Sequence, residues 1–296
     1  MLSDKLRNYF LLHLIVFIWG FTAVLGKLIS IDALPLVWYR MSLAALCILL
    51  YMALRKIPFA LSGKTLLILV MAGGVVALHW ITFFGAIKVA NVSVALATMA
   101  TGAFFGSLLE PLWYGRKVIG YEVVFGLIVI LGLYFIFNVG TEYTEGILLA
   151  LASAFLGAVF TLINGRLIRH HKPSVIGFYE LLSGALFVTV YLGLSSGFSV
   201  DFFELKVSDW LYIFILASVC TAYAFIASVK VMRHVSPYTV LLTVNLEPVY
   251  GILLAFAIFG DSERMNTQFY IGGLIILLTV VANGILKNRN SAKRVG

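Results

Sequence analysis

The chain has 296 residues, 62% of them hydrophobic and 11% charged, with 21 Lys and Arg against 13 Asp and Glu and a formal charge of +8. A soluble domain is about 45–50% apolar and about 25% charged, so a water-surrounded globule, a disordered chain, a coiled coil and a disulfide scaffold are excluded. The apolar segments run to about 20 residues, the length of a membrane-crossing helix, and lack the ~10-residue alternating segments of a transmembrane barrel; the expected class is an all-α membrane protein.

In chain order, Lys5 and Arg7 precede an apolar run that continues to Ile29 with no small-x-small cleavage site after it, which predicts a retained first helix rather than a signal peptide. Ten spans are predicted, at 8–30, 35–54, 65–89, 91–114, 121–138, 146–168, 174–197, 210–232, 237–260 and 269–287. The longest connection, 198–209, leaves no room for an extramembrane catalytic domain. An even count puts both tails on one side. With that side cytoplasmic, sixteen basic residues (among them Arg55, Lys56, Arg116, Lys117, Arg166, Arg169, Arg233, Lys287, Arg289, Lys293 and Arg294) fall inside and four (Lys27, Lys88, Lys206, Arg264) outside. The bias supports cytoplasmic termini. It also accounts for the positive charge without a nucleic-acid partner. Cys47 and Cys220 lie in apolar stretches, far from any metal-ligand spacing, and read as packing residues.

The two halves repeat. A shift of 145 lays Leu96 on Leu241, Thr98 on Thr243, Gly106 on Gly251 and Leu108–Leu109 on Leu253–Leu254. Five spans per half is an odd number, so the second half (141–296) is expected inverted relative to the first (1–140). Inverted repeats of this kind belong to secondary transporters, with the substrate site near the midplane between the halves.

Several motifs carry a family resemblance: Trp19–Gly20 then Lys27 in the first span, Pro35 then Trp38-Tyr39-Arg40 in the second, and Asn91-Val92-Ser93 opening the fourth. Leu246-Glu247-Pro248 follows in the ninth and Gly272–Gly273 in the tenth. On these residues the chain resembles the drug/metabolite transporter superfamily, specifically ten-helix permeases of the EamA type. The resemblance implies a multi-pass carrier in a bacterial inner (plasma) membrane that exports or exchanges small metabolites, often amino acids, by alternating access. The fourth span departs from the pattern, with Gly102–Ala103 in the place of Glu247–Pro248, so roles are not transferable between halves.

Charges inside spans are the best pointers to a site, because each costs several kcal/mol unless paired or wetted. Glu247 lies near the middle of its span. Pro248 behind it removes a backbone donor, and a kink freeing a carbonyl near Thr243–Val244 is expected. Glu247 is expected to take a substrate amine or a proton. Asn245, about 200° away on a continuous helix, is expected to bond a neighbouring helix instead. Arg40 has the flat fork that suits a substrate carboxylate, with Trp38 and Tyr39 beside it as stacking partners. Glu180, near the cytoplasmic end of the seventh span, is a second proton-coupling candidate, with a salt bridge to Arg166 or Arg169 as the alternative. His79 sits mid-span beside Trp80; an imidazole, ordinarily titrating near ~6.5, suits a proton relay or a hydrogen bond between helices. Trp38, Tyr39, Trp80 and Tyr179 are candidate cavity aromatics. Glu110 is expected to pair with Arg116 and Lys117, and Gly102 to Gly106 reads as a GxxxG packing pattern.

No phosphate loop, H-E-x-x-H pair or G-x-S-x-G elbow is present in the sequence. Neither an enzyme, a metal site nor a cofactor is expected; the expected partners are a small-molecule substrate, the lipid bilayer and protons. The competing readings are a lipid or lipid-sugar flippase, an intramembrane enzyme and a channel.

Overall fold

The computed structural model describes residues 4–115, 120–137 and 140–292. All regular structure among them is helical: α1 (Asp4–Leu28), α2 (Ala33–Leu54), α3 (Gly63–Val89), α4 (Val92–Met99), α5 (Gly102–Tyr114), α6 (Gly120–Phe137), α7 (Thr144–Leu167), α8 (Pro173–Leu194), the one-turn α9 (Val200–Phe203), α10 (Val207–Ala217), α11 (Ala224–Val231), α12 (Pro237–Val244), α13 (Glu247–Phe259) and α14 (Thr267–Ala292). A π-helical turn, Ser218–Tyr223, joins α10 to α11.

Among the described residues, seven stretches are long and apolar enough to cross a bilayer: Arg7–Leu28, Ala33–Leu54, Gly63–Val89, Val92–Tyr114, Thr141–Leu167, Pro173–Leu194 and Val207–Val231. The expected spans at 121–138 and 269–287 hold the shorter apolar helices Val124–Ile136 and Thr267–Asn283. The one at 237–260 is divided into α12 and α13. Of the basic residues that argue for sidedness, Arg116, Lys117, Lys293 and Arg294 lie outside the described residues. So do the two partners expected for Glu110.

The helix ends follow local chemistry. Asn91 turns its side-chain oxygen back to the Val94 N–H at 2.8 Å and starts α4. Ser62 does the same for Thr65 at the start of α3. Gly115 at φ +70° closes α5 and Gly260 at φ +59° closes α13, conformations that side chains resist. Large apolar side chains such as Leu54, Leu112 and Leu194 point outward, as expected of helices surrounded by lipid rather than water.

Two helices are broken in the same way. Val92 to Pro237, Met99 to Val244, Gly102 to Glu247 and Tyr114 to Phe259 are each a step of 145 residues, so α4–α5 and α12–α13 have matching boundaries. The breaks share their hydrogen bonding too. Thr101 N–H donates to the Thr98 carbonyl at 3.1 Å, and Leu246 N–H to the Thr243 carbonyl at 3.0 Å. Because the first break has no proline, Pro248 is not the cause of the second. It sits in the first turn of α13, where a missing N–H costs little. Of the two carbonyls expected to be freed there, that of Thr243 is engaged by Leu246.

The broken helices cross reciprocally. Leu96 on α4 packs onto Gly251 on α13, and Leu241 on α12 packs onto Gly106 on α5. A Cβ at either glycine would collide with the facing leucine. Gly251 also meets Gly20, which draws α1 against α13. At the periphery, Gly132 and Gly272 let α6 and α14 touch backbone to backbone.

Candidate functional site

An internal cavity lies between α1, α2, α3, the two broken helices, α7 and the α10–α11 segment. Counting all space not filled by atoms, open solvent included, it spans about 890 Å³. Its walls are mostly apolar, with Trp19, Phe83, Phe160 and Phe225 among them, and its polar groups are few. Of the residues singled out from sequence, Arg40, His79, Trp80 and Glu247 converge here.

Arg40 is 2% exposed. Its guanidinium carbon lies 3.7 Å from the Trp80 ring centroid and 5.3 Å from that of Phe84, a stacking that suits a flat, weakly hydrated cation. Its Nε donates to Thr221 Oγ1 at 2.7 Å. Thr221 sits in the π turn, and its hydroxyl donates in turn to the Leu216 carbonyl at 2.7 Å, five residues back. The wider turn thus presents an oriented acceptor to Arg40, an arrangement often found at functional sites. Among the described residues Arg40 makes no ion pair, and its one side-chain hydrogen bond is that from Nε.

Glu247 is the first residue of α13 and borders the cavity with no hydrogen bond to any described residue. Its carboxyl and the Arg40 guanidinium are within electrostatic range of each other but do not form an ion pair. A helix N-terminus favours negative charge, so the position can hold either a carboxylate or a neutral acid. Asn245 also lines the cavity, its Nδ2 donating to the Leu241 carbonyl at 3.0 Å. The expected 200° separation from Glu247 fails because the helix is interrupted between them, at 245–246.

His79 lies with Nδ1 2.8 Å from the Ser153 carbonyl oxygen and 2.8 Å from Ser153 Oγ, and Ser153 Oγ donates to the His79 carbonyl at 2.8 Å. A carbonyl only accepts, so Nδ1 carries the hydrogen. The neutral ring then keeps Nε2 as an acceptor. The hydrogen bond between helices, one of the two readings of this residue, is present between α3 and α7. Phe83 and Phe160 flank the ring.

The other candidates lie elsewhere. Trp38 donates through Nε1 to Thr189 at 2.8 Å, and Tyr39 through its hydroxyl to the Phe202 carbonyl at 3.1 Å. Both pack with Phe202 in an aromatic cluster around α9, so the stacking expected from them on Arg40 comes instead from Trp80. Tyr179 donates to the Phe59 carbonyl at 2.9 Å, away from the cavity. Glu180 also lies outside it, fully buried, with Asn164 as partner rather than Arg166 or Arg169. Gly102 lines the cavity, while Gly106 receives Leu241.

Sequence reasoning passed over Thr221 and Glu263. Three aliphatic hydroxyls in one apolar span (Ser218, Thr221, Ser228) were a visible signal for the first. Glu263 reads as a loop acid, yet it is 1% exposed and ties α1 and α4 to the segment after α13. Its Oε1 pairs with Lys27 Nζ at 2.7 Å and accepts from Val92 N–H at 3.2 Å; its Oε2 accepts from Ser93 N–H at 2.8 Å. Lys27 also lies 4.4 Å from the Phe259 ring centroid. Nearby, Asp209 accepts from Ser30 N–H and Oγ at 2.9 and 2.6 Å, and Lys88 Nζ donates to the Ile29 carbonyl. The bundle is therefore fastened at the Lys27 end. Toward the other end the cavity wall reaches Met232, which also lines a hollow with Arg169, Arg233 and His234. Among the described residues, no group of three or more His, Cys, Asp or Glu is placed to hold a metal ion.

Comparison with known proteins matches a family model described as the EamA-like transporter family to residues 6–138 and again to 144–284. An uncharacterized transporter of Archaeoglobus fulgidus is 26% identical over 285 residues, covering 93% of this chain and 96% of the relative. A second uncharacterized transporter of that organism is 27% identical over 154 residues, about half of each chain. A solved crystal structure, 17% identical, superposes with a TM-score of 0.69 over 96% of this chain and 99% of its own, a likeness of fold alone.

Proposed function

The chain belongs to the EamA-like transporter family, within the drug/metabolite transporter superfamily, and from that premise we propose a secondary transporter that exports or exchanges small, amino-acid-like metabolites by alternating access. The observation that carries the substrate class is the cavity pair Arg40 and Glu247: a stacked guanidinium whose Nη groups make no hydrogen bond among the described residues and, within electrostatic range, an acid with no hydrogen bond or ion pair among them. A zwitterion presents one carboxylate and one ammonium, the complement of that pair. His79 Nε2 offers a further acceptor for an ammonium or a proton. Glu247 exchanges a proton, or yields its place to the substrate amine, during the cycle.

Ten spans in two inverted five-helix repeats, 1–140 and 141–296, form the proposed frame. The two matches of one family model and the reciprocal Leu96–Gly251 and Leu241–Gly106 contacts support it. The basic bias supports cytoplasmic termini in a bacterial inner membrane, which makes the Lys27 end external. In that orientation the Lys27–Glu263 network closes the outer side, and the cavity leads inward past Met232. Such an arrangement is one of the two states an alternating carrier needs.

Counterflow in proteoliposomes preloaded with a pooled metabolite panel tests the reading. Accumulation of labelled amino acids by counterflow is the expected result. Uptake confined to metabolites without a carboxylate would overturn the substrate class, and phospholipid scrambling without counterflow would overturn the carrier.

A further inference from the structure

We propose that Glu180 and Asn164 form a proton-binding site between α8 and α7, in which the carboxyl of Glu180 is protonated and donates to Asn164 Oδ1 while Asn164 Nδ2 donates to Glu180 Oε2. Both residues are fully buried, and neither lines the cavity. The bond from Nδ2 to Oε2 is 3.2 Å long. The two remaining atoms, Glu180 Oε1 and Asn164 Oδ1, are both sealed from solvent and both without a partner.

An ionised carboxylate only accepts, and so does an amide oxygen. With Glu180 ionised, the pair would leave two orphaned acceptors and an uncompensated charge in an apolar interface, each costly. One proton on Oε1 removes the charge and supplies the missing donor, so a single change satisfies both orphans. An acid and a carboxamide each offer one donor beside one acceptor, which makes the paired ring self-complementary.

No described charge does this work instead. The ionisable residues on the helices around Glu180 are Arg40, Tyr39, Cys47 and Tyr51 on α2, Lys64, His79 and Lys88 on α3, Glu145 and Arg166 on α7, Tyr179 and Tyr191 on α8, and Lys230 on α11. None of them has an ion pair or side-chain hydrogen bond to the Glu180 carboxyl among the described residues. Water is kept out by close backbone packing. A Cβ on Gly73 of α3 would meet the Glu180 carbonyl and lie 2.8 Å from Ser183 Cβ, and one on Gly184 would lie 2.8 Å from the Gly73 carbonyl. The proton is thus trapped while α3, α7 and α8 stay together. Its exchange requires them to part, and only this last link, to movement in a cycle, rests on the carrier reading.

Infrared difference spectroscopy of the purified full-length protein at neutral pH tests the site without any transport measurement. Glu180→Gln keeps one donor and one acceptor and should fold. The wild-type minus Glu180→Gln spectrum should show loss of one protonated-carboxyl band. Asn164→Leu retains the acid but removes its partner, and should move that band to the higher frequency of a carboxyl with fewer hydrogen bonds. Loss of ionised-carboxylate bands in Glu180→Gln, or an unmoved carboxyl band in Asn164→Leu, overturns the proposal. Should Glu180→Gln fail to fold, the Asn164→Leu spectrum decides alone: a shifted band upholds the site, and an unmoved band overturns it.

Discussion

The guanidinium of Arg40 stacks on Trp80, 3.7 Å from the ring centroid, although forty residues and a helix connection separate them in sequence. The contact holds a buried cation at the cavity wall with no ion pair among the described residues. A cation–π contact of this kind contributes about 0.5–2 kcal/mol. Trp80→Leu, which keeps apolar bulk but removes the ring, should weaken apparent substrate affinity several-fold in counterflow. Arg40→Lys loses the ring contact, the bond to Thr221 and the two-pronged fork together, so its loss should be larger, about tenfold or more. Thermal unfolding in detergent should change little in either variant; a protein that no longer inserts would make Arg40 a structural residue.

Thr221 offers a more selective probe of the same arginine. Thr221→Val is nearly isosteric and deletes only the hydroxyl that accepts from Arg40 Nε and donates to the Leu216 carbonyl. A hydrogen bond to a charged group is worth about 1.5–3 kcal/mol, so the Michaelis constant should rise about tenfold or more while the maximal rate at saturation stays near the parent's. Unchanged counterflow affinity would mean that Arg40 is held in place by Trp80 and Phe84 alone.

Glu247→Gln preserves size but cannot change charge. The variant should fold and still exchange substrate between two loaded compartments, yet lose accumulation driven by a pH gradient. Glu247→Asp should be partly active, because the acid survives and only its reach is shortened. Accumulation by Glu247→Gln equal to the parent's would remove Glu247 as proton carrier. Loss of exchange as well would assign it to the substrate amine.

The Lys27–Glu263 ion pair joins α1 to the segment after α13, and the same carboxylate binds the first N–H groups of α4. Glu263→Gln removes the ion pair and weakens the bonds to the α4 N–H groups, so it should open the Lys27 end. Cys220 lines the cavity and supplies the readout in a Cys47→Ser background. An impermeant thiol reagent applied from the Lys27 side should label Cys220 at least tenfold faster in Glu263→Gln than in the parent. Equal labelling in both would show that this network does not close the cavity.

Composition alone determined the membrane class, because 62% apolar residues have no other solvent than lipid and each other. Family membership was likewise legible in short motifs, and the structure gives several of them a physical task. Gly20 admits Gly251, Asn91 caps α4, Lys27 meets Glu263, and Gly272 admits Gly132. Intramembrane charge singled out Arg40, Glu247 and Glu180, because an ionisable group in lipid is costly; the first two border the cavity and the third does not. Neighbourhood in sequence misled where a helix turns its residues in different directions. Trp38 and Tyr39 adjoin Arg40 in the chain but face α9, and Arg40 reaches across to α3 and to the π turn. Periodicity failed at Asn245 because it assumes an unbroken helix. The break is shared by a half with Pro248 and a half without it, and the broken helices cross with matching contacts, Leu96 on Gly251 and Leu241 on Gly106. Contacts between residues far apart in the chain, such as Arg40 with Trp80 and Thr221, decided which polar groups share the cavity, and no local pattern encodes them.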